Sequence, residues 1–372
     1  MERFDVAIVG AGIIGSACAR ECARAGMRVA VVESALPAAG ATAAGMGHVV
    51  VMDDSTAQLA LTAYSRSLWR SEKLPAEVEY VSRGTVWVAA DDEELDQAEA
   101  KQNTLAGAGV SAEILSASEL KEQEPNLRDG LAGGLLVPED GVSRPPAAAA
   151  FLLREAERLG ACVYRSRALR AGNGEVLLED GRLLQAERIV LAVGNECELL
   201  PALPLRKRKG HLVMTEKASG FIRHQVLELG YVKSAGDAEG ESVAFNVQPR
   251  LTGEVVIGSS RQFGCEDAVV DEEILERMVA RAASYMPGLA GLARVKTWTG
   301  FRAATPDKLP LIGPAKGVSD DPTLWLAAGF EGLGTTNSLA AARLLVDGML
   351  GRESAIDAAP YLPSRMVGLE ER

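Results

Sequence analysis

Apolar and polar positions along the chain fall into two kinds of region. In the first, apolar runs alternate with helical periods. Phe4–Val9 (FDVAIV) is a short β-branched run of the kind that fills a buried parallel strand. SACARECARAG (16–26) is alanine-rich, helical in period, and stops at a glycine, and MRVAVVES (27–34) is a second strand ending in Glu33. TAQLALTAYSRSLWRSEKL (56–74) and PPAAAAFLLREAERLG (145–160) have helical periods. GRLLQAERIVLAVGNE (181–196) is a hairpin leading into an apolar strand that ends at Gly194. AAGFEGLGTTNSLAAARLLVDGML (327–350) is a strand end, a glycine loop and an Ala/Leu helix, with a cap expected near Thr335–Thr336 or Ser338. In the second kind, VEYVSRGTVWVAA (78–90), HLVMTEK (211–217), SVAFNVQP (242–249) and GEVVIGSSR (253–261) alternate between glycine-containing turns, as antiparallel strands do. Residues 35–48, ALPAAGATAAGMGH, have too little apolar periodicity for a helix and are expected to form a loop. Asp53 and Asp54 are expected to cap the helix starting near Ser55.

Composition changes this picture little. The 372 residues suffice for about two to three domains. They are 47% hydrophobic and 24% charged, as in ordinary globular proteins. A net charge of −12 argues against nucleic acid as a partner. No apolar run approaches the roughly 18–20 residues of a membrane span, and the first one reads as strand and glycine turn rather than signal peptide. Five cysteines, an odd number without C-x-x-C, fit a reducing and hence cytoplasmic setting. Cys18 and Cys22 read as buried small residues of a helix. A four-cysteine iron–sulfur cluster and a C-x-x-C redox disulfide are excluded, and no metal site is expected.

The candidate chemistry begins at Gly10-Ala11-Gly12-Ile13-Ile14-Gly15, placed between strand and helix and followed by a strand ending in Glu33. Gly10 makes the tight turn, Gly12 admits a pyrophosphate, and Gly15 lets helix and strand pack. The helix amino end offers N–H groups and a positive dipole end to phosphate. Glu33 can accept from both ribose hydroxyls. The whole is an adenine-dinucleotide site. The small-residue loop after Glu33 lets backbone lie against a flat ligand. Together with the strand ending at Gly194, it favours FAD over NAD.

With these residues in view, the chain resembles the amino-acid-oxidising FAD family that includes D-amino-acid oxidase, glycine oxidase and sarcosine oxidase. The resemblance rests on the dinucleotide motif, ATAAGM (41–46), LAVG (191–194), FRAATPDKLPLIGP (301–314) and the closing glycine loop and helix. KGHLV (209–213), FNVQPRLTGEVVIGSSRQF (245–263) and FEGLGTT (330–336) are similar to catalytic β-subunits of heteromeric dehydrogenases. Those oxidise D-hydroxyproline, proline-like imino acids or opines; the cyanide-forming glycine dehydrogenase is a relative.

The resemblance implies an α/β plus mixed-β protein. A discontinuous Rossmann-like FAD-binding domain (1–80, 140–208 and 303–372) would carry an antiparallel-sheet substrate domain (81–139 and 209–302). It implies FAD contacts from Ile13, Ile14, Glu33, Ser34, Gly40, Ala41, Thr42, Ala44, Gly45, Met46, Leu169 and the segment Phe330, Glu331, Gly332, Leu333, Gly334, Thr335 and Thr336. Arg302 falls on the carboxylate-binding arginine, a role a bidentate guanidinium suits. Two departures count against glycine as substrate: Gly332 replaces a second arginine, and Asn246 replaces a tyrosine.

Asn246 and Tyr231 are candidates to line the pocket. His48 either accepts a proton near the flavin or satisfies a loop carbonyl. A structural ion pair of Arg302 with Asp307 or another acid is the plain alternative for that arginine. The run Arg206-Lys207-Arg208-Lys209 reads as a solvated basic turn, or else as a docking site for a partner or a second flavin's phosphate.

The implied activity is oxidation of a C–N bond by hydride transfer to flavin N5, giving an imine, most specifically in a D-hydroxyproline-type dehydrogenase subunit. Its partner subunits would carry FMN or an iron–sulfur cluster. The alternatives are a self-sufficient oxidase of glycine, sarcosine or a D-amino acid that makes hydrogen peroxide, and a flavin-binding structural subunit.

Overall fold

The computed structural model describes residues 2–196, 198–230 and 241–367. Two sheets organise them. The first has the spatial order β17 (Leu311–Pro314), β18 (Leu324–Ala328), β11 (Leu183–Leu191), β1 (Glu2–Val9), β2 (Val29–Glu33), β8 (Cys162–Arg165). From β18 to β8 all neighbours are parallel. β10 (Glu175–Leu178) pairs antiparallel with β11, and β9 (Ala168–Gly172) pairs antiparallel with β10. Val6, Ala7, Ile8 and Val9 of β1 are all buried, because helices and loops cover both faces of a parallel sheet. Against one face pack α1 (Ile13–Arg24), α6 (Pro145–Arg158) and a terminal helix, Gly334–Leu350. Cys18 and Cys22 are buried in that layer.

The second sheet runs β16 (Arg294–Ala304), β12 (Arg206–Lys217), β15 (Glu254–Phe263), β14 (Ser242–Pro249), β13 (Gln225–Glu228), β4 (Thr85–Ala89), β6 (Gly133–Val137), β5 (Glu113–Ser116). Its pairs are antiparallel except β13 with β4, which run parallel, so the sheet is mixed where pure antiparallel pairing was expected. One face packs on the helix Glu272–Tyr285, with Phe245 and Tyr285 stacked at 4.6 Å. The other face turns toward the loops above the first sheet. Two short strands, β3 (His48–Val49) and β7 (Gly141–Val142), pair with each other. Three further helices are α3 (Thr56–Ser71), α4 (Asp92–Gly107) and α5 (Ala117–Gln123).

Several local expectations are corrected. The 35–48 segment is not all loop: α2 (Gly40–Ala44) is a single helical turn. Tertiary bonds rather than periodicity hold it, through the Thr42 hydroxyl and through Ala38 N donating to Ala11 O at 2.9 Å. Ser55, not Asp53 or Asp54, caps α3 by accepting from Gln58 N; Asp53 instead pairs with Lys101. The basic run is not a solvated turn but the start of β12. Arg208 and Lys209 are buried and pair with Glu331 and Asp267, and Arg206 lies over the Phe263 ring at 4.9 Å. Strand pairing draws Arg208 and Lys209 inward, where carboxylates neutralise them, while Arg206 and Lys207 stay exposed.

Candidate functional site

The amino ends of α1 and the terminal helix meet above the carboxyl ends of β1 and β2. Gly10 has φ +102°, and a Cβ there would lie 2.4 Å from Ala192 O, so only glycine fits the turn. Neither α1, beginning after Gly12, nor the terminal helix, beginning after Leu333, has a side-chain cap. The expected cap at Thr335–Thr336 or Ser338 is therefore corrected. Thr336 Oγ1 instead donates to His48 O at 2.9 Å and accepts from Val50 N, and Ser338 bonds back to Thr335 O. A Cβ at Gly334 would lie 4.0 Å from Ile13 Cγ2, so the two bare ends adjoin. Thr42 Oγ1 accepts from Ile13 N at 3.0 Å and ties α2 to α1. Glu33 accepts from Ala11 N at 2.7 Å and Ala35 N at 2.8 Å, holding the turn's backbone against β2.

Gly40 and Ala41 lie on the exposed side of α2, Met46 is buried beyond it, and Ala44 and Gly45 are half-buried. Ser34 is exposed at the end of β2, Leu169 is exposed on β9, and Gly194 takes φ +63° after β11. Ile14 and Gly15 are buried in α1. Phe330 is buried below Glu331, Gly332 and Leu333, and Glu331 N donates to Ala303 O at 2.9 Å.

The second sheet closes over this cradle. Trp298 Nε1 donates to Ala44 O at 3.1 Å, and Gln248 Nε2 to Met46 O at 2.7 Å. A Cβ at Gly300 would sit 2.3 Å from Ala44 Cβ, so glycine there lets β16 touch α2. Arg302, on β16, lays its guanidinium across Gly210, donates to Ser260 O at 3.1 Å, and has its Nε 3.4 Å from where a Gly332 Cβ would be. Asp307 is not its partner: that carboxylate pairs with Arg365 at 2.7 Å.

His48 is half-buried at the start of β3. Its Nδ1 meets the Gln225 side-chain oxygen, not a loop carbonyl, and Asn246 Nδ2 lies 3.3 Å from its Nε2. Burial pushes its pKa down to about 4, against the Gln225 bond, and nearby Arg250 and Arg302 push it the same way. It is a neutral imidazole over the ordinary pH range. Tyr231 lies outside the described residues.

Sequence reasoning named His48, Asn246 and Arg302 from three distant segments; His48 and Asn246 meet side by side, and Arg302 acts on the ring through its charge. It missed Gln225, Thr85, Gln248 and Trp298. A buried glutamine or threonine on an alternating strand carries no mark of its partner, and only the register of β14, β13 and β4 sets these side by side. Trp298, the lone tryptophan of its strand, was the one visible signal.

The donor set fits FAD. A glycine turn against Glu33, two adjoining helix ends without side-chain caps, and a small-residue segment beneath a second sheet suit an extended dinucleotide with a flat ring. Among the described residues no group of His, Cys, Asp and Glu could hold a metal, and no helix is long and apolar enough to cross a membrane.

Comparison with known proteins agrees. The profile of the DAO family, FAD dependent oxidoreductase, matches residues 5–348. Glycine oxidase of Geobacillus kaustophilus is 28% identical over 386 aligned positions, covering 99% of this chain and 98% of that protein. The crystal structure of glycine oxidase from that organism superposes with a TM-score of 0.87 at 27% identity, over 99% of this chain and 100% of the other. L-Proline dehydrogenase from P. horikoshii superposes with a TM-score of 0.87 at 22% identity, covering 98% of each chain, and shares the fold. The chain belongs to the DAO family and is an FAD-dependent oxidoreductase.

Proposed function

We propose that the protein oxidises the C–N bond of an amino or imino acid to the imine, and that it does so as a D-hydroxyproline-type dehydrogenase subunit. The observation that carries the first part is the position of Arg302. A permanently charged, geometrically fixed fork lies beside the glycine loop, in reach of the field at His48. A carboxylate ligand suits that fork, and neutral His48 and Asn246 offer uncharged contacts to the rest of the molecule. FAD supplies, when bound, the two-electron acceptor. The chain's own residues clamp the carboxylate (Arg302), keep a cation from forming beside it (neutral His48), and exclude water (Trp298, Met46 and Leu212).

The same reading assigns the FAD contacts named above and the domain division at 1–80, 140–208 and 303–372 against 81–139 and 209–302. The two-sheet arrangement supports that division. The hydroxyproline preference is supported by Asn246 and Gly332, which replace groups a small zwitterion would need, and by the similarity to dehydrogenase β-subunits. A partner carrying FMN or an iron–sulfur cluster would then take the electrons.

A second reading, a self-sufficient oxidase, is favoured by the nearly full-length match to a protein named glycine oxidase. The deciding experiment is anaerobic flavin bleaching against D- and L-amino acids, hydroxyprolines, sarcosine, glycine and opines. Bleaching by hydroxyproline above all others is expected. Bleaching by none of them would refute an amino- or imino-acid oxidoreductase, and aerobic peroxide from the isolated chain would select the oxidase. Arg302→Lys should keep FAD and raise KM roughly 30-fold or more, as expected for truncating one side of a buried charge pair.

A further inference from the structure

Behind His48 lies a line of buried side chains whose hydrogen bonds run in one direction. It begins beside Asp140, fully buried, whose Oδ1 accepts from Arg66 Nη1 at 3.0 Å and from Val51 N at 3.2 Å, with the Thr85 hydroxyl nearby. Thr85 Oγ1, on the neighbouring strand β4, accepts from Gln225 Nε2 at 3.0 Å. The Gln225 oxygen therefore faces His48, and His48 Nδ1 must be the protonated nitrogen. In a neutral ring the other nitrogen is then bare, and it accepts from Asn246 Nδ2 at 3.3 Å. The charges of Arg250 and Arg302 oppose a second proton on the ring. From Gln225 onward each step leaves the next group one choice. The last choice turns the Asn246 oxygen away from the histidine.

That oxygen is the orphan of the line. Asn246 is 5% exposed, and its Oδ1 has no hydrogen-bond partner among the described residues. A buried carboxamide oxygen without a donor is costly, and such groups in native structures are commonly met by water or ligand. Asn246 lies on β14 opposite Gly258 of β15, and a Cβ at Gly258 would be 2.8 Å from Met46 Sδ. The orphan thus belongs to the strand position that faces the small-residue segment.

We propose that this line fixes the Asn246 carboxamide so that Oδ1 is an acceptor reserved for an N–H or O–H of the bound substrate, with Gln225 and His48 as positioning residues. This rests on the amino- or imino-acid reading above and adds a rule of selection. A carboxylate ligand with a donor at that point binds, and an analogue with a bare oxygen there is rejected, because two acceptors would face each other.

The test uses the FAD-loaded enzyme and three ligands, each as both enantiomers: proline, 4-hydroxyproline and tetrahydrofuran-2-carboxylate. Affinity is read from the flavin's visible spectrum under anaerobic conditions, or from the concentration dependence of flavin reduction. If the donor is the amine, proline outbinds the furan analogue about tenfold or more; if it is the ring hydroxyl, hydroxyproline outbinds proline by that factor. Asn246→Leu should bring whichever preference exists to within about threefold, and Asn246→Asp, still an acceptor, should keep it. A wild-type enzyme with neither preference, or an Asn246→Leu variant with an unchanged one, overturns the proposal.

The line itself is read without substrate. With only three histidines in the chain, ¹⁵N-histidine spectra of the holoenzyme, assigned with His48→Asn, report its tautomer. The Nδ1–H form is expected. Gln225→Glu should keep it and Gln225→Leu should lose it together with the ligand preference. An Nε2–H form in the unaltered protein overturns the positioning role. An Nδ1–H form in an enzyme to which no amino or imino acid binds would instead refute the proposed function and the substrate contact built on it.

Discussion

Two sets of helix amino ends in this molecule are built differently. Ser55, Asp91, Ser116 and Asp271 each cap a helix by accepting a backbone N–H, and Ser116 and Glu119 do so reciprocally. α6 opens with Pro145 and Pro146, which have no N–H to satisfy. α1 and the terminal helix have neither device: Gly12 and Leu333 offer no side-chain acceptor. The difference follows location. Where a helix only packs, the chain supplies a cap or a proline; where two helix ends adjoin beneath the second sheet it supplies neither, and Thr42, from α2, meets Ile13 N alone, an arrangement that suits an anionic ligand.

The largest loss is expected at the glycine turn of the cradle. Gly10→Ala places a methyl 2.4 Å from Ala192 O at φ +102°. Overpacking and backbone strain together should cost about 3–5 kcal/mol. Chemical denaturation should show that loss, and the purified variant should lack yellow colour. A variant of wild-type stability that retains FAD would mean the turn is not as tight as described.

Removing FAD from the intact protein should have the next effect. At a hundredfold excess over its dissociation constant a ligand stabilises by about 2.7 kcal/mol, and the apo form should unfold correspondingly earlier. Hydrogen exchange should speed up at Ile13–Gly15 and Gly334–Thr336 while the first turns of α4 and α5 stay unchanged. Equal changes at all four ends would erase the distinction.

What the sequence could say about these ends was uneven. The amino end of α1 was legible because the whole strand, glycine turn, helix and acidic residue are contiguous, and each glycine answers a local demand. The terminal helix was legible as a helix, but its threonines looked like caps. Thr336 is turned to His48 O and Val50 N by contacts across nearly the whole chain, which no local rule contains. α2 was missed for the same reason: its turn is held by Thr42 and Ala38, not by periodicity. Arg302, His48 and Asn246 could be picked out singly, since an arginine among turn residues and a rare histidine stand out. The glutamine beside His48 and the threonine behind it could not, because sheet register alone makes Gln225 and Thr85 neighbours. Arg208 and Lys209 misled because a run of like charges looks solvated until Glu331 and Asp267 are brought to it.

Two single side chains, one at each kind of helix end, should have smaller effects. Thr42→Val removes the one side-chain acceptor at the start of α1 while keeping its shape, so Ile13 N loses its partner at 3.0 Å. A loss of about 1–2 kcal/mol is expected, with weaker FAD retention because the same N–H lies in the glycine turn. Ser116→Ala removes a cap of ordinary kind, exposed and far from the cradle in sequence and sheet order. Its cost should be about 1 kcal/mol, read as an earlier unfolding midpoint with the same slope. FAD content and flavin spectrum should not change at all. The pair discriminates because the two losses of stability are similar while only one touches the flavin. If Ser116→Ala also shed FAD, the uncapped ends would owe their bareness to general marginal stability, not to a ligand.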